Sequence, residues 1–82
     1  MKNDNIVWIV SRGEKHEGGS VRGVYSDRDA AIASALKLPT SFGPWKADFD
    51  GFSSPPPWQW ISGCDYAIVE RSIVNNSATQ NV

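Results

Sequence analysis

Ile6-Val7-Trp8-Ile9-Val10 is apolar at every position, without the alternation of a half-buried strand. Such a run predicts a central strand covered on both faces. Residues 1–5 ahead of it are polar and read as a frayed lead. Ser11 to Ser20 is a ten-residue polar connection, a length that fits an antiparallel hairpin with a long tip. Val21-Arg22-Gly23-Val24-Tyr25 has the β-branched and aromatic content of a second strand. A helix is then predicted from Asp27 to Lys37 or Leu38. Ile32, Ala35 and Leu36 lie at spacings that share one face, with Ala31 and Leu38 at its margin. Ser26 is placed to cap it, Asp29 stands at the capping-box position, and Asp27 and Asp29 suit the positive end of the helix dipole. Pro39 stops the helix, because its ring cannot continue it.

The next stretch, 39–57, breaks the pattern. Prolines at 39, 44 and 55–57 are interleaved with Phe42, Trp45, Phe49 and Phe52. A flexible linker is poor in aromatics, so an ordered loop with at most one short strand is expected. Pro57-Trp58-Gln59-Trp60-Ile61 reads as a strand, Ser62-Gly63 as a turn, and Cys64 to Val74 as the last strand. On that strand Tyr66 and Ile68 share one face, and Ala67, Val69 and Ile73 the other. The expected architecture is one α+β domain over residues 1–74, followed by a polar, disordered tail over 75–82. Its order is β-β-α-β-β, a small, mainly antiparallel sheet with one helix on one face and a Pro/aromatic-rich loop after the helix. One helix covers one side of such a sheet. Either Val7 and Ile9, or Ile6, Trp8 and Val10, then face outward under the loop or a second subunit.

Several short motifs in this order carry a resemblance. A strand is followed by Glu17-Gly18-Gly19-x-Val21-x-Gly23-Val24-Tyr25-Ser26, an acid-capped Ala-rich helix, a Trp-bearing segment and a final Tyr66-x-Ile68-x-Glu70 strand. The pattern resembles a group of small bacterial and phage proteins classed as a domain of unknown function, over roughly residues 6 to 74. The likeness implies the order of elements and no catalytic residues. The segment between Leu38 and Trp58 departs from it most.

Composition narrows the sources of stability. With 82 residues, the chain is near the lower limit for a self-sufficient core. One Cys and one His exclude an internal disulfide and a standard structural zinc set. Four Trp point to aromatic packing instead, each buried ring removing about 150–250 Å² from water. The formal net charge is −1 with scattered Lys and Arg, so there is no electrostatic footprint for duplex nucleic acid, and the lack of basic residues among the aromatics makes single-stranded nucleic acid a minority reading. The apolar run at 6–10 is too short for a signal peptide or a membrane span, and a cytoplasmic protein without cofactor or metal is expected.

Candidate chemistry is thin. His16 and Cys64 are the one conceivable nucleophile–base pair, and nothing local activates the thiol. Asp48-Phe49-Asp50-Gly51 starts like a calcium loop but lacks the third carboxylate and the bidentate Glu, which leaves an acidic turn. Gly18-Gly19 beside Lys15 and Arg22 precedes a strand rather than a helix, so it lacks the dipole of a phosphate loop. Pro55-Pro56-Pro57 joins Trp58 directly, which favours a self-packed loop over a polyproline ligand. Asn75-Asn76-Ser77 fits a glycosylation sequon, without a secretory signal to give it meaning.

Six aromatics, Phe42, Trp45, Phe49, Phe52, Trp58 and Trp60, fall within nineteen residues. Most must be core, yet one helix and a thin sheet cover fewer, so this set is the expected partner-binding surface. The functional expectation is a non-enzymatic protein-binding module with a host or self protein as partner. The resemblance adds one version, a phage or mobile-element protein that inhibits a host factor such as a defence system. Two alternatives stand beside it: a small-ligand binder with a pocket between sheet and aromatic loop, and a self-associating structural protein that forms a homodimer.

Overall fold

The computed structural model describes residues 4–75. Five strands and one helix follow in the order β1 (Asp4–Glu14), β2 (Gly18–Tyr25), α1 (Arg28–Leu36), β3 (Lys46–Ala47), β4 (Trp58–Ser62) and β5 (Asp65–Asn75). All strand pairs are antiparallel, in the spatial order β2-β1-β5-β4-β3. The fold is therefore α+β and mostly sheet, in the β-β-α-β-β order that the sequence predicts, with the two-residue β3 added from the loop. No helix among the described residues is long and apolar enough to cross a membrane.

Both long strands outrun their sequence-based limits. Asp4 and Asn5 belong to β1, paired with Asn75 and Val74 of β5, rather than to a frayed lead. The tail expected over 75–82 begins inside β5 at Asn75, and the rest of it lies outside the described residues. The polar stretch 11–20 is mostly strand. Its turn is only Lys15-His16-Glu17, closed by Glu17 N–H on the Glu14 carbonyl (3.0 Å), with His16 at φ 72°. Polar residues are compatible with strand here because the ladder to β2 and β5 satisfies the backbone whatever the side chains do. Arg22 is the extra residue of a bulge, since Val10 pairs with Gly23 and Ser11 with Val21.

Strand alternation sorts the side chains into two faces. On the helix side stand Trp8 and Val10 of β1, Ala67 and Val69 of β5, and Trp58 and Trp60 of β4, matched by register as Val10↔Val69↔Trp58 and Ala67↔Trp60. Val10, Ala67, Val69, Trp58 and Trp60 are buried, together with Ala31 and Ala35 of the helix. The small alanines let the nine-residue helix sit close to the sheet. The buried stripe is thus Ala31/Ala35, with Ile32 half-buried and Leu36 at 46 % exposure, rather than centred on Ile32, Ala35 and Leu36. The cap is Asp27, whose Oδ2 accepts from Ala30 N–H at 2.8 Å; Ser26 does not cap. The helix ends at Leu36, one or two residues before its expected limit at Lys37 or Leu38, with Lys37 as its C-cap.

β1 is an interior strand, but the described residues cover it on one face only. Val7 and Ile9 point away from the helix and remain half-buried, so the continuous apolar run does not report two covered faces. The aromatic loop does not cover that second face. It extends the roof over the helix side.

Candidate functional site

The roof is built ring by ring. Trp8 stacks on Trp58 (centroids 5.6 Å, planes 11° apart), a contact between β1 and β4 that bridges over Val69. Phe49 meets Trp60 edge-on at 5.1 Å and Phe52 meets Trp58 edge-on at 5.0 Å, geometries that suit the ring quadrupoles. Indole N–H groups find carbonyls, Trp58 on Ser54 (2.8 Å) and Trp45 on Leu38 (3.0 Å). These bonds tie the loop down at two places. The six aromatics of the expected surface therefore divide. Trp58 and Trp60 are buried core, Trp45 and Phe49 are half-buried roof, and Phe42 and Phe52 are exposed at 61 % and 51 %. The structure gathers Phe49, Phe52, Trp58 and Trp60 into one cluster and sets Phe42 apart, at the β4–β5 turn.

That turn is a second centre of organisation. Gly63 has φ 60° and Cys64 does not share the positive value, the pattern of a two-residue II′ hairpin with Gly first. The Phe42 ring lies against Gly63 so closely that a Cβ there would overlap its Cγ and Cδ2. Beneath it, the buried carboxylate of Asp65 holds segment 39–41. Asp65 Oδ2 meets Arg12 Nη2 at 3.1 Å and accepts from Ser41 N–H at 2.9 Å, while Arg12 Nε donates to the Pro39 carbonyl at 2.9 Å. Ser62 Oγ donates to the Gly43 carbonyl at 2.8 Å. Asp65 Oδ1 is buried without a hydrogen-bond partner among the described residues. Sequence reasoning missed this pair, because nothing local in either strand marks Arg12 and Asp65 as partners.

The opposite face of the sheet carries no element of the described chain. Val7 and Ile9 of β1, Val21 and Val24 of β2, Ile61 of β4 and Tyr66, Ile68 and Val74 of β5 project from it by alternation and register. None of these side chains is fully buried, and Val21 and Val24 are 60 % and 58 % exposed. Glu70, opposite Ile9, is the charged side chain nearest its centre. Tyr66 lies across Gly13, where a Cβ would collide with its hydroxyl.

The remaining motifs are accounted for by position. His16 and Cys64 sit in neighbouring turns, joined by Lys15 N–H on the Cys64 carbonyl (2.8 Å), with no hydrogen bond between ring and thiol. Gly18-Gly19 lines a shallow depression where Arg12 and Arg22 are offset by Glu14 and Glu17. Asp48 is held in β-type pairing with Gln59, through N–H to carbonyl (2.8 Å) and Gln59 Nε2 to Oδ2 (2.9 Å). Among the described residues no group of three His, Cys, Asp or Glu is placed to hold a metal ion. Comparison with protein-family models, with curated proteins and with solved structures gives no match for this chain.

Proposed function

We propose that this chain is a non-enzymatic protein-binding module, acting in the cytoplasm, whose contact surface is the bare face of the sheet. One observation carries the reading. The helix and the aromatic loop both cover the same side, and Val7, Ile9, Val21, Val24, Ile61 and Ile68 are left on the other with none of the described residues over them. Exposed and half-buried apolar side chains gathered on one face, here interspersed with Ser11, Gln59, Glu70 and Ser72, mark a contact site. The aromatic loop enters this proposal as the roof that fixes the sheet, with Phe42 and Phe52 as its exposed remainder. A more specific form, a phage or mobile-element protein that blocks a host factor, rests on the motif resemblance.

The test compares three proteins on one affinity matrix: wild type, Val24→Asp and Phe42→Ala. A discrete partner held by wild type and Phe42→Ala but lost by Val24→Asp supports the bare face. Equal retention by all three removes it. Self-association is the second reading, favoured because β1 and β5 extend past β2 and β4, leaving Ile6 and Ile73 at 47 % and 61 % exposure. Light scattering over a concentration series tests it: a dimer abolished by Ile73→Asp and kept by Val24→Asp assigns the overhang on the helix side to a second copy, and one abolished by Val24→Asp assigns the bare face to it.

A further inference from the structure

We propose that the hollow beside the β4–β5 turn, which takes Ile61 from the edge of the bare face as one of its walls, is a binding site for a small aromatic carboxylate. It is lined by Phe42, Pro44, Lys46, Ile61, Ser62 and Gly63 and measures about 530 Å³, within the range of small-ligand sites. Its walls are an aromatic ring, a proline and an isoleucine. Among the described residues its one charge is the Lys46 ammonium, and no acidic side chain lines it. Lys46 makes no ion pair among the described residues. Apolar walls with a single unpaired cation match a flat apolar ring that carries one negative group.

The way the hollow is held is the stronger argument. Phe42 is 61 % exposed and adds little to the core, yet the segment that carries it is pinned from beneath by the Arg12–Asp65 pair. Burying an ion pair is costly, and its attraction often does no more than repay the desolvation. In a chain of 82 residues, that pair supports a turn with almost no buried apolar surface of its own. The expense makes sense if it fixes the ring in place. Gly63 seats the ring, since any side chain there would displace it, and Ser62 fixes Gly43 on the other side of the turn. A ring already in position loses less freedom when a ligand arrives.

The experiment is a titration of the ¹⁵N-labelled full chain with benzoate and 2-naphthoate, with benzamide as the neutral control. Saturable shifts at the amides of Lys46, Ile61 and Gly63 are expected for both acids. Benzamide should be inert. In Lys46→Gln the affinity should fall about tenfold, the loss of one charge-assisted contact. Phe42→Ala should weaken 2-naphthoate more than benzoate. Both substitutions lie on the surface, and circular dichroism will confirm that the variants fold. Absence of saturable shifts, equal binding of benzamide, or unchanged affinity in Lys46→Gln would each overturn the site. Binding of N-acetylphenylalanine with both acids inert would overturn the small-acid reading in favour of a chain terminus.

Discussion

Asp65 is buried to 1 % exposure and its partner Arg12 to 12 %, so each offsets part of the desolvation of the other. Arg12→Ala leaves the carboxylate uncompensated, with Ser41 N–H as its remaining hydrogen-bond donor. We expect a loss of about 3–5 kcal/mol in urea unfolding. The double change Arg12→Met/Asp65→Leu should recover most of that loss, because an apolar pair of similar volume needs no compensation. If the double variant is as unstable as the single one, the pair's value lies in the turn it holds rather than in charge balance. None of this was visible in the sequence. Arg12 stands in a run of polar residues, and Asp65 follows a turn, where an exposed acid is the ordinary reading. Only the register of β1 with β5 places the two at one corner of the sheet.

At the level of elements, α1 shows why local signals are right about existence and loose about ends. Nine residues are too few for a stable helix in water, so its limits are set by docking as well as by propensity. Asp27→Ala should cost about 1 kcal/mol by denaturant titration, because Ala30 N–H loses its acceptor. Ser26→Ala should change little; a reversed order would return the cap to Ser26. Tyr25 completes the docking, its hydroxyl bonded to Ser34 Oγ (2.6 Å) and its ring folded over Gly23. The strands were legible where β-branched and aromatic residues cluster, as in β2 and β4. They were misjudged where polar residues continue a ladder, as in Ser11–Glu14. A strand's backbone bonds do not depend on side-chain polarity, so hydropathy alone made the hairpin connection ten residues long where the turn takes three.

Across the whole molecule, the two faces of one sheet carry different loads. Trp58 is buried at 3 % and touches Trp8, Phe49 and Phe52, so Trp58→Ala should cost about 3–5 kcal/mol. Val24→Thr on the bare face should stay within about 0.5 kcal/mol of wild type. The same urea titration gives both values. A large loss at Val24 would mean that the second face is covered in solution and that the measured species is an assembly.

By itself the sequence determined the class of the fold, the order of its elements and the aromatic source of its stability. Those follow from local chemistry: β-branched runs, an acid-capped alanine helix, one lone cysteine, four tryptophans. It also determined that one helix would leave a face of the sheet open. Which face, and what the loop does about it, only the tertiary structure decided. Ile6 to Val10 is apolar at every position, so the strand has no internal reason to turn one side inward. The choice fell to Trp58 and Trp60, whose alternation on β4 commits both rings to the face that Val10, Val69 and Ala67 share, and the loop aromatics followed them there. The Arg12–Asp65 corner was likewise decided by register, because an ion pair between distant strands has no signature until the strands are aligned.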